Sequence, residues 1–195
     1  MILLGPKDGK YAFLIFGSLL ISSCGIISFN PNIGKYSGFE HTSKLYPGLI
    51  QKSNPINCNS KTDLEPMVCI ANGLDIRSCI QKEEKAIVYL WHPTCKGPNC
   101  IAPTIIQSIC KSNNVELFIV ARSYRFETLD LIEPLDRPVF GIDTKYYSTD
   151  VVADYVPLFF SELLGKDIII GTESYFLFER GKLMTISDRL QPTGN

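Results

Sequence analysis

The sequence predicts an α/β domain with a mixed sheet that closes on a C-terminal β-hairpin. Three observations predict it. Ala86 to Trp91 and Val115 to Ala121 are continuous apolar runs rich in β-forming residues, the pattern of strands covered on both faces. Between them Ile101, Ile105, Ile106 and Ile109 recur at helical spacing, which makes a βαβ unit. Near the end, Ser174 to Glu179 and Lys182 to Ile186 flank Arg180-Gly181, two strand-like runs around a Gly-containing turn. Strand, helix, strand, helix and hairpin in that order is an α/β arrangement.

The elements follow in chain order. Lys7 and Lys10, offset by Asp8, precede an apolar run from Tyr11 to Ile21. Eleven residues suit the apolar stretch of a signal segment and fall short of the roughly 20 that span a bilayer. The run ends in Leu20-Ile21-Ser22-Ser23-Cys24, which resembles the bacterial lipobox: an aliphatic residue, two small residues, then the cysteine that receives lipid. The resemblance implies a signal peptide over 1–23 and an acylated Cys24, with several acyl chains for a stable anchor. Residues 24–57, rich in Asn, Ser, Gly and Pro, read as a tether, with Leu49 and Ile50 as residues able to pack on the domain. The domain is placed over 58–195.

Within it, Thr62 to Glu65 has capping-box spacing for a short helix, and Asn72-Gly73 reads as its stop. Asp75 to Lys82 is a second short helix. Asn113-Asn114 ends the isoleucine-rich helix. Phe126, Leu129 and Ile132 predict a short helix ahead of Pro134, and Pro138 to Ile142 a short extended piece. Asp150 to Leu164 predicts another helix, stopped by Gly165 and kinked or split by Pro157.

Composition narrows the function classes. Removing residues 1–23 from 195 leaves 172, enough for one domain with a real core. A net charge of −1 and a pI near 6.1 give no electrostatic footprint for nucleic acid. There is no repeat, phosphate loop, Ser-His-Asp set or catalytic carboxylate pair. Of the 7 cysteines, setting aside Cys24 leaves six: Cys58, Cys69, Cys79, Cys95, Cys100 and Cys110. An even count in an exported chain points to disulfides, and six cysteines allow about 15 connectivities. Cys58, Cys69 and Cys79 read as structural, and Cys110 as a buried thiol or a partner for one of them. His92 lies three residues ahead of Cys95, yet the other histidine, His41, falls in the tether, so no metal site or cofactor is expected.

One stretch carries a wider resemblance. Tyr89-Leu90-Trp91-His92-Pro93-Thr94-Cys95, then Gly97-Pro98, Cys100 and Ile101-Ala102-Pro103, is similar to the thioredoxin superfamily, in which a buried strand ends in an aromatic-rich stretch and a cysteine. Tyr175 to Lys182 resembles its last hairpin. The resemblance covers about residues 80–190. It implies a three-layer α/β/α sandwich and thiol–disulfide exchange with protein thiols or disulfides of the cell envelope. Cys95 is then the attacking nucleophile and Cys100 the resolving thiol. A cysteine at a helix N-terminus has its thiolate stabilised by unpaired backbone N–H groups, so its reactive fraction rises.

Two features depart from that family. The spacing is Cys-x-x-x-x-Cys, where the family has Cys-x-x-Cys. With two residues inserted, Cys100 keeps the resolving position at the helix start. Without insertion, Pro98 takes that position and Cys100 lies further along the helix, about 140° around it from Cys95. A bond between them then needs an unwound segment, with the helix starting near Asn99 or Cys100. The family's cis-proline before the first hairpin strand is also missing: Gly171-Thr172-Glu173-Ser174 places Glu173 nearest that position. A carboxylate there disfavours a thiolate on Cys95. The alternative is a non-enzymatic lipoprotein of the same fold in which Cys95 and Cys100 form a structural staple.

Overall fold

Strand residues that alternate between two cores define the architecture. The computed structural model describes residues 35–52, 58, 66–97, 100–126, 129, 132 and 135–191. Their elements are α1 (Phe39–Leu45), β1 (Ile50–Gln51), β2 (Val68–Ala71), α2 (Gly73–Ile80), β3 (Lys85–Trp91), α3 (Pro103–Ser112), β4 (Glu116–Ala121), β5 (Val139–Ile142), α4 (Val152–Leu164), β6 (Tyr175–Glu179) and β7 (Lys182–Ser187). Among the described residues the strands form one sheet in the order β1-β2-β5-β4-β3-β6-β7. The first five run parallel; β6 pairs antiparallel to β3, and β7 antiparallel to β6.

The period of two sorts side chains between the faces. On β3, Ala86, Val88 and Leu90 enter one core while Ile87, Tyr89 and Trp91 enter the other. On β4, Phe118 and Val120 oppose Leu117, Ile119 and Ala121 in the same way. The first core is closed by α2 and α4 through Ile76, Ile80, Tyr155, Val156, Phe159 and Leu163. The second is closed by Ile106 and Cys110 of α3 and by Tyr124, Phe126 and Leu135. The result is a mixed sheet with helices on both sides, so the expected α/β class and C-terminal hairpin are present. Arg180 (φ 50) and Gly181 (φ 73) supply the two left-handed residues that a tight hairpin turn requires.

Several elements differ from expectation. Asn72-Gly73 starts a helix instead of stopping one. The Asn72 Oδ1 accepts the Asp75 N–H at 2.9 Å, and the Asp75 carboxylate accepts the Asn72 N–H at 3.0 Å. This reciprocal cap opens α2 at Gly73. Ahead of it, Val68–Ala71 is a strand that the reading lacks. In α3 the buried stripe is Pro103, Ile106 and Cys110, whereas Ile101 precedes the helix and Ile105 is exposed. Pro157 neither stops nor splits α4. It lies in the second turn and removes one hydrogen bond to Ala153, an exposed residue whose carbonyl water can satisfy. Gly165 (φ 68) ends α4 as expected.

The start of the domain also lies earlier than residue 58. Within the stretch read as a tether, residues 35–52 supply α1 and the edge strand β1, and Ser37, Thr42 and Leu49 are buried. Leu49 and Ile50 pack on the α3 side of the sheet, as expected. The signal segment, Cys24 and the Thr62 to Glu65 capping box lie outside the described residues. So does most of the helix expected from Phe126 to Ile132. Among the described residues no helix is long and apolar enough to cross a membrane.

Two local constraints generate measurable expectations. A Cβ on Gly73 would lie 2.2 Å from the Phe159 carbonyl oxygen and 2.7 Å from Glu162 Cβ, so α2 and α4 touch through backbone here. Gly73→Ala gains about 1 kcal/mol of helix propensity but forces apart two packed helices at about 1–3 kcal/mol. The clash is with backbone, so urea unfolding is expected to show a lower midpoint; a raised midpoint would refute the close approach. At the end of β5, Asp143 Oδ1 accepts the N–H groups of Lys145 and Tyr146, each at 3.1 Å, and Oδ2 meets Lys52 Nζ at 2.9 Å. Burial opposes its ionisation, but Lys52 and these amides outweigh burial and hold the carboxyl below its ordinary value. A depressed carboxylate stabilises the fold above its unfolded pKa, and that stability is lost as pH falls through the folded value. Asp143→Asn is therefore expected to lower stability at neutral pH by about 1 kcal/mol, given the exposed Lys52. The difference from wild type should shrink below about pH 4, read by urea titration across pH; a constant difference would exclude the ionic contribution.

Candidate functional site

β3 ends at Trp91 and the next element, α3, begins at Pro103. The strand end is fixed on both sides. The Arg122 N–H donates to the Trp91 carbonyl at 2.7 Å, and the Leu90 N–H donates to the Ser174 carbonyl at 2.8 Å. Trp91 is buried against Phe126, ring centroids 5.8 Å apart, so it is core and does not line the cysteine surface. Tyr89 stacks on Tyr175 of the neighbouring strand at 5.0 Å, and its hydroxyl donates to the Ile101 carbonyl at 3.1 Å. That hydroxyl ties the far end of the loop back to the strand. Sequence reasoning assigned Tyr89 to the core and missed this role, which no spacing signals.

The loop carries a disulfide between Cys95 and Cys100, with Cα atoms 5.7 Å apart. Cys95 is exposed and Cys100 half-buried. The Cys95 N–H donates to the His92 carbonyl at 3.0 Å, and the Cys100 N–H to the Gly97 carbonyl at 3.0 Å. The Gly97 N–H in turn points at Cys100 Sγ, 3.0 Å away. The structure thus brings the two predicted site cysteines together, but neither lies on a helix. α3 begins at Pro103, with proline at its first position and Ala102 as its cap residue. The helix start near Asn99 or Cys100 and the alignment that puts Cys100 within the helix are both corrected by this boundary. The backbone donor found at a site sulfur is the Gly97 N–H, on Cys100.

Nearby groups are also placed. Partial desolvation of the His92 imidazole and the Arg122 charge both hold His92 below its ordinary value. Its Nδ1 pairs with the Thr94 hydroxyl at 3.2 Å. Glu173 turns its carboxylate onto its own loop, where Oε2 accepts the Gly171 N–H at 2.8 Å. Among the described residues no group of three or more His, Cys, Asp or Glu side chains could hold a metal ion.

The other four described cysteines are all buried and divide by position relative to the sheet. Cys58 and Cys79 form a second disulfide, and the Cys58 carbonyl accepts a 2.8 Å hydrogen bond from Arg137, which also pairs with Glu83 and Glu116. Cys69 and Cys110 are buried thiols: for Cys110 this is one of the two expected alternatives, whereas Cys69 forms no disulfide although an even cysteine count pointed to one. Cys69 packs in the α2–α4 core and Cys110 in the α3 core, so the sheet separates them. Burial raises the Cys69 thiol, and burial together with Glu116 pushes Cys110 up to about 11.

These placements set an order of thiol reactivity. Near pH 8 only about one Cys110 in a thousand is thiolate. Iodoacetamide is expected to leave Cys69 and Cys110 unlabelled in the native protein and to label both in guanidinium. After mild reduction, Cys95 should label ahead of Cys100, as read by peptide mass mapping. Native labelling of Cys69 or Cys110 at the rate of Cys95 would contradict the burial. No family model, curated protein or solved structure matches this chain.

Proposed function

We propose that this chain is a thioredoxin-like, lipid-anchored envelope protein that exchanges disulfides with protein thiols through Cys95 and Cys100. The reading places the anchor at Cys24, behind a signal peptide over 1–23, and the domain in an extracytoplasmic space. The fold supports it in outline: helices on both faces, a βαβ unit and an antiparallel hairpin beside β3. Two disulfides also suit an oxidising compartment.

The observation that carries the reading is an accessible disulfide on a loop at the carboxyl end of a central strand, its inner sulfur facing a backbone N–H. A partner thiolate attacks the exposed Cys95 sulfur, forms a mixed disulfide and expels Cys100 as thiolate toward the Gly97 N–H. A second partner thiolate attacks the partner's sulfur in that mixed disulfide, closing the partner's disulfide and leaving Cys95 as thiolate. Two electrons pass to this chain. In reverse, the Cys95 thiolate attacks a partner disulfide and the Cys100 thiolate resolves it. Leaving ability rises as the leaving thiol's pKa falls, so the Gly97 N–H assists departure of Cys100.

Stapling gains less at this bond than at the other disulfide. Closing so short a loop stabilises a fold by about 2 kcal/mol, against about 3 kcal/mol for the longer Cys58–Cys79 loop. The start of α3 at Pro103 favours the second reading, a structural staple, because it withdraws the helix amides from Cys95. Cys95→Ser is the deciding variant in a disulfide-exchange assay with the full chain. Loss of at least about a hundredfold is expected, since the thiolate is the nucleophile. Activity equal to wild type would sink the assignment. A bond between Cys95 and Cys100 that resists reduction below about −300 mV would make it a staple.

A further inference from the structure

We infer that a cavity between α1 and the loops following β3 and β4 receives a carboxylate side chain of the peptide segment presented to Cys95. The inference rests on the exchange reading above and names its substrate class: cysteine-containing segments with a nearby Asp or Glu.

The cavity measures about 320 Å³ and is lined by Gly38, His41, Thr42, Thr94, Arg125 and Phe126. Thr94 immediately precedes Cys95, so the cavity borders the reactive loop. It lies on the β4 side of β3, opposite the Gly171 to Ser174 segment, which follows the sheet order β4-β3-β6. Its walls are fixed. The Tyr124 N–H donates to the Ser37 carbonyl at 2.7 Å, the Ser37 N–H donates to the Asp150 carbonyl at 2.9 Å, and the Thr42 hydroxyl donates to the Tyr124 carbonyl. Phe39 meets Tyr124 edge-on at 5.1 Å, and Phe126 packs on Trp91. A preformed site loses little to ordering on binding.

The lining selects the ligand's charge. Arg125 brings a guanidinium, and among the described residues no acidic one lines the cavity. Among the described residues, neither Arg125 nor His41 has an ion pair or side-chain hydrogen bond. The remaining polar groups are engaged: Thr94 with His92, and Thr42 with the Tyr124 carbonyl. Asp150, the acid on the adjoining segment, is bound by the Ser37 hydroxyl. Gly38 gives the Arg125 stem its path, since a Cβ there would lie 2.8 Å from Arg125 Cγ. A planar guanidinium with no partner among the described residues matches a carboxylate through two parallel hydrogen bonds, and the His41 imidazole lines the same cavity.

Binding separates this inference from exchange. The probe is a fluorescein-labelled decapeptide with Ser in place of the target cysteine and Glu two residues away, compared with the same peptide carrying Gln. Full-chain wild type should bind the Glu peptide about fivefold more tightly at low salt, the upper range for one partly exposed ion pair. The preference should shrink with added salt. Arg125→Gln and Arg125→Glu should erase it, and Arg125→Lys should keep part of it. Equal binding of both peptides by wild type overturns the inference. So does a Glu preference that survives Arg125→Glu in protein with wild-type near-ultraviolet circular dichroism. If Arg125→Glu fails to fold, the wild-type salt titration and Arg125→Gln decide. Exchange of bis(2-hydroxyethyl) disulfide by wild type is measured in parallel. No exchange with the Glu preference intact removes the exchange reading and upholds the carboxylate site. Exchange with no Glu preference removes the inference alone.

Discussion

A sheet buried on both faces cannot leave backbone N–H and C=O groups without partners, and this constraint organises the molecule. Each such group deprived of water and of a partner costs on the order of a hydrogen bond. β3 meets the requirement from both neighbours, pairing parallel with β4 and antiparallel with β6 along almost its full length. Its two sets of side chains fill separate cores. The strand therefore cannot slide by one residue without turning Tyr89 and Trp91 into the wrong core. Its carboxyl end is consequently a fixed point, and the cysteine loop departs from it. The Tyr89 hydroxyl extends that fixity across the loop to Ile101.

The same two-faced sheet decides the fate of the cysteines. Cys69 and Cys110 face opposite cores and cannot meet, whatever the redox state of the compartment. Cys79 lies on the helical cover of one core, where Cys58 reaches it, and Arg137 holds the Cys58 carbonyl in place. The Arg137 guanidinium also lies 4.6 Å from the Phe118 ring, so one side chain joins that crossing to β4. Cys95 and Cys100 stand outside both cores on the loop. Position relative to the sheet, and not burial, therefore separates the bonded cysteines from the free ones.

The parts of the fold legible in the sequence are those with long, one-sided signals. β3 and β4 are apolar runs too continuous for a half-exposed strand, and the hairpin carries Arg180-Gly181 between two such runs. β1 and β2 were missed because two and four residues are too few to show a period. α1 carries no apolar stripe to betray it: its buried residue, Thr42, is polar, as is Ser37 just ahead of it, and only their tertiary hydrogen bonds justify burying them. Asn72-Gly73 is ambiguous in one dimension: asparagine caps either end of a helix, and Asp75 was the overlooked sign of a start. Likewise Pro103 marked the first turn of α3, yet served only as part of a resemblance.

The candidate site was legible as a pair of cysteines and illegible as an environment. Spacing alone left open whether Cys100 belonged to the helix, because strand end and helix start do not fix the loop between them. The structure puts that start three residues beyond Cys100, and with it goes the simplest physical reason for a reactive Cys95. What replaces it is an asymmetry between the two sulfurs. On the proposed exchange reading, exposure makes Cys95 the sulfur a partner can reach, and the Gly97 N–H makes Cys100 the sulfur better able to carry the departing charge. Exchange needs both properties, one on each side of the bond, whereas a staple needs neither. The buried thiols supply the contrast within one molecule. Cys110, pushed up to about 11 and shut inside the α3 core, has neither access nor charge to offer. Reactivity in this fold therefore follows position relative to the sheet and not the cysteine count.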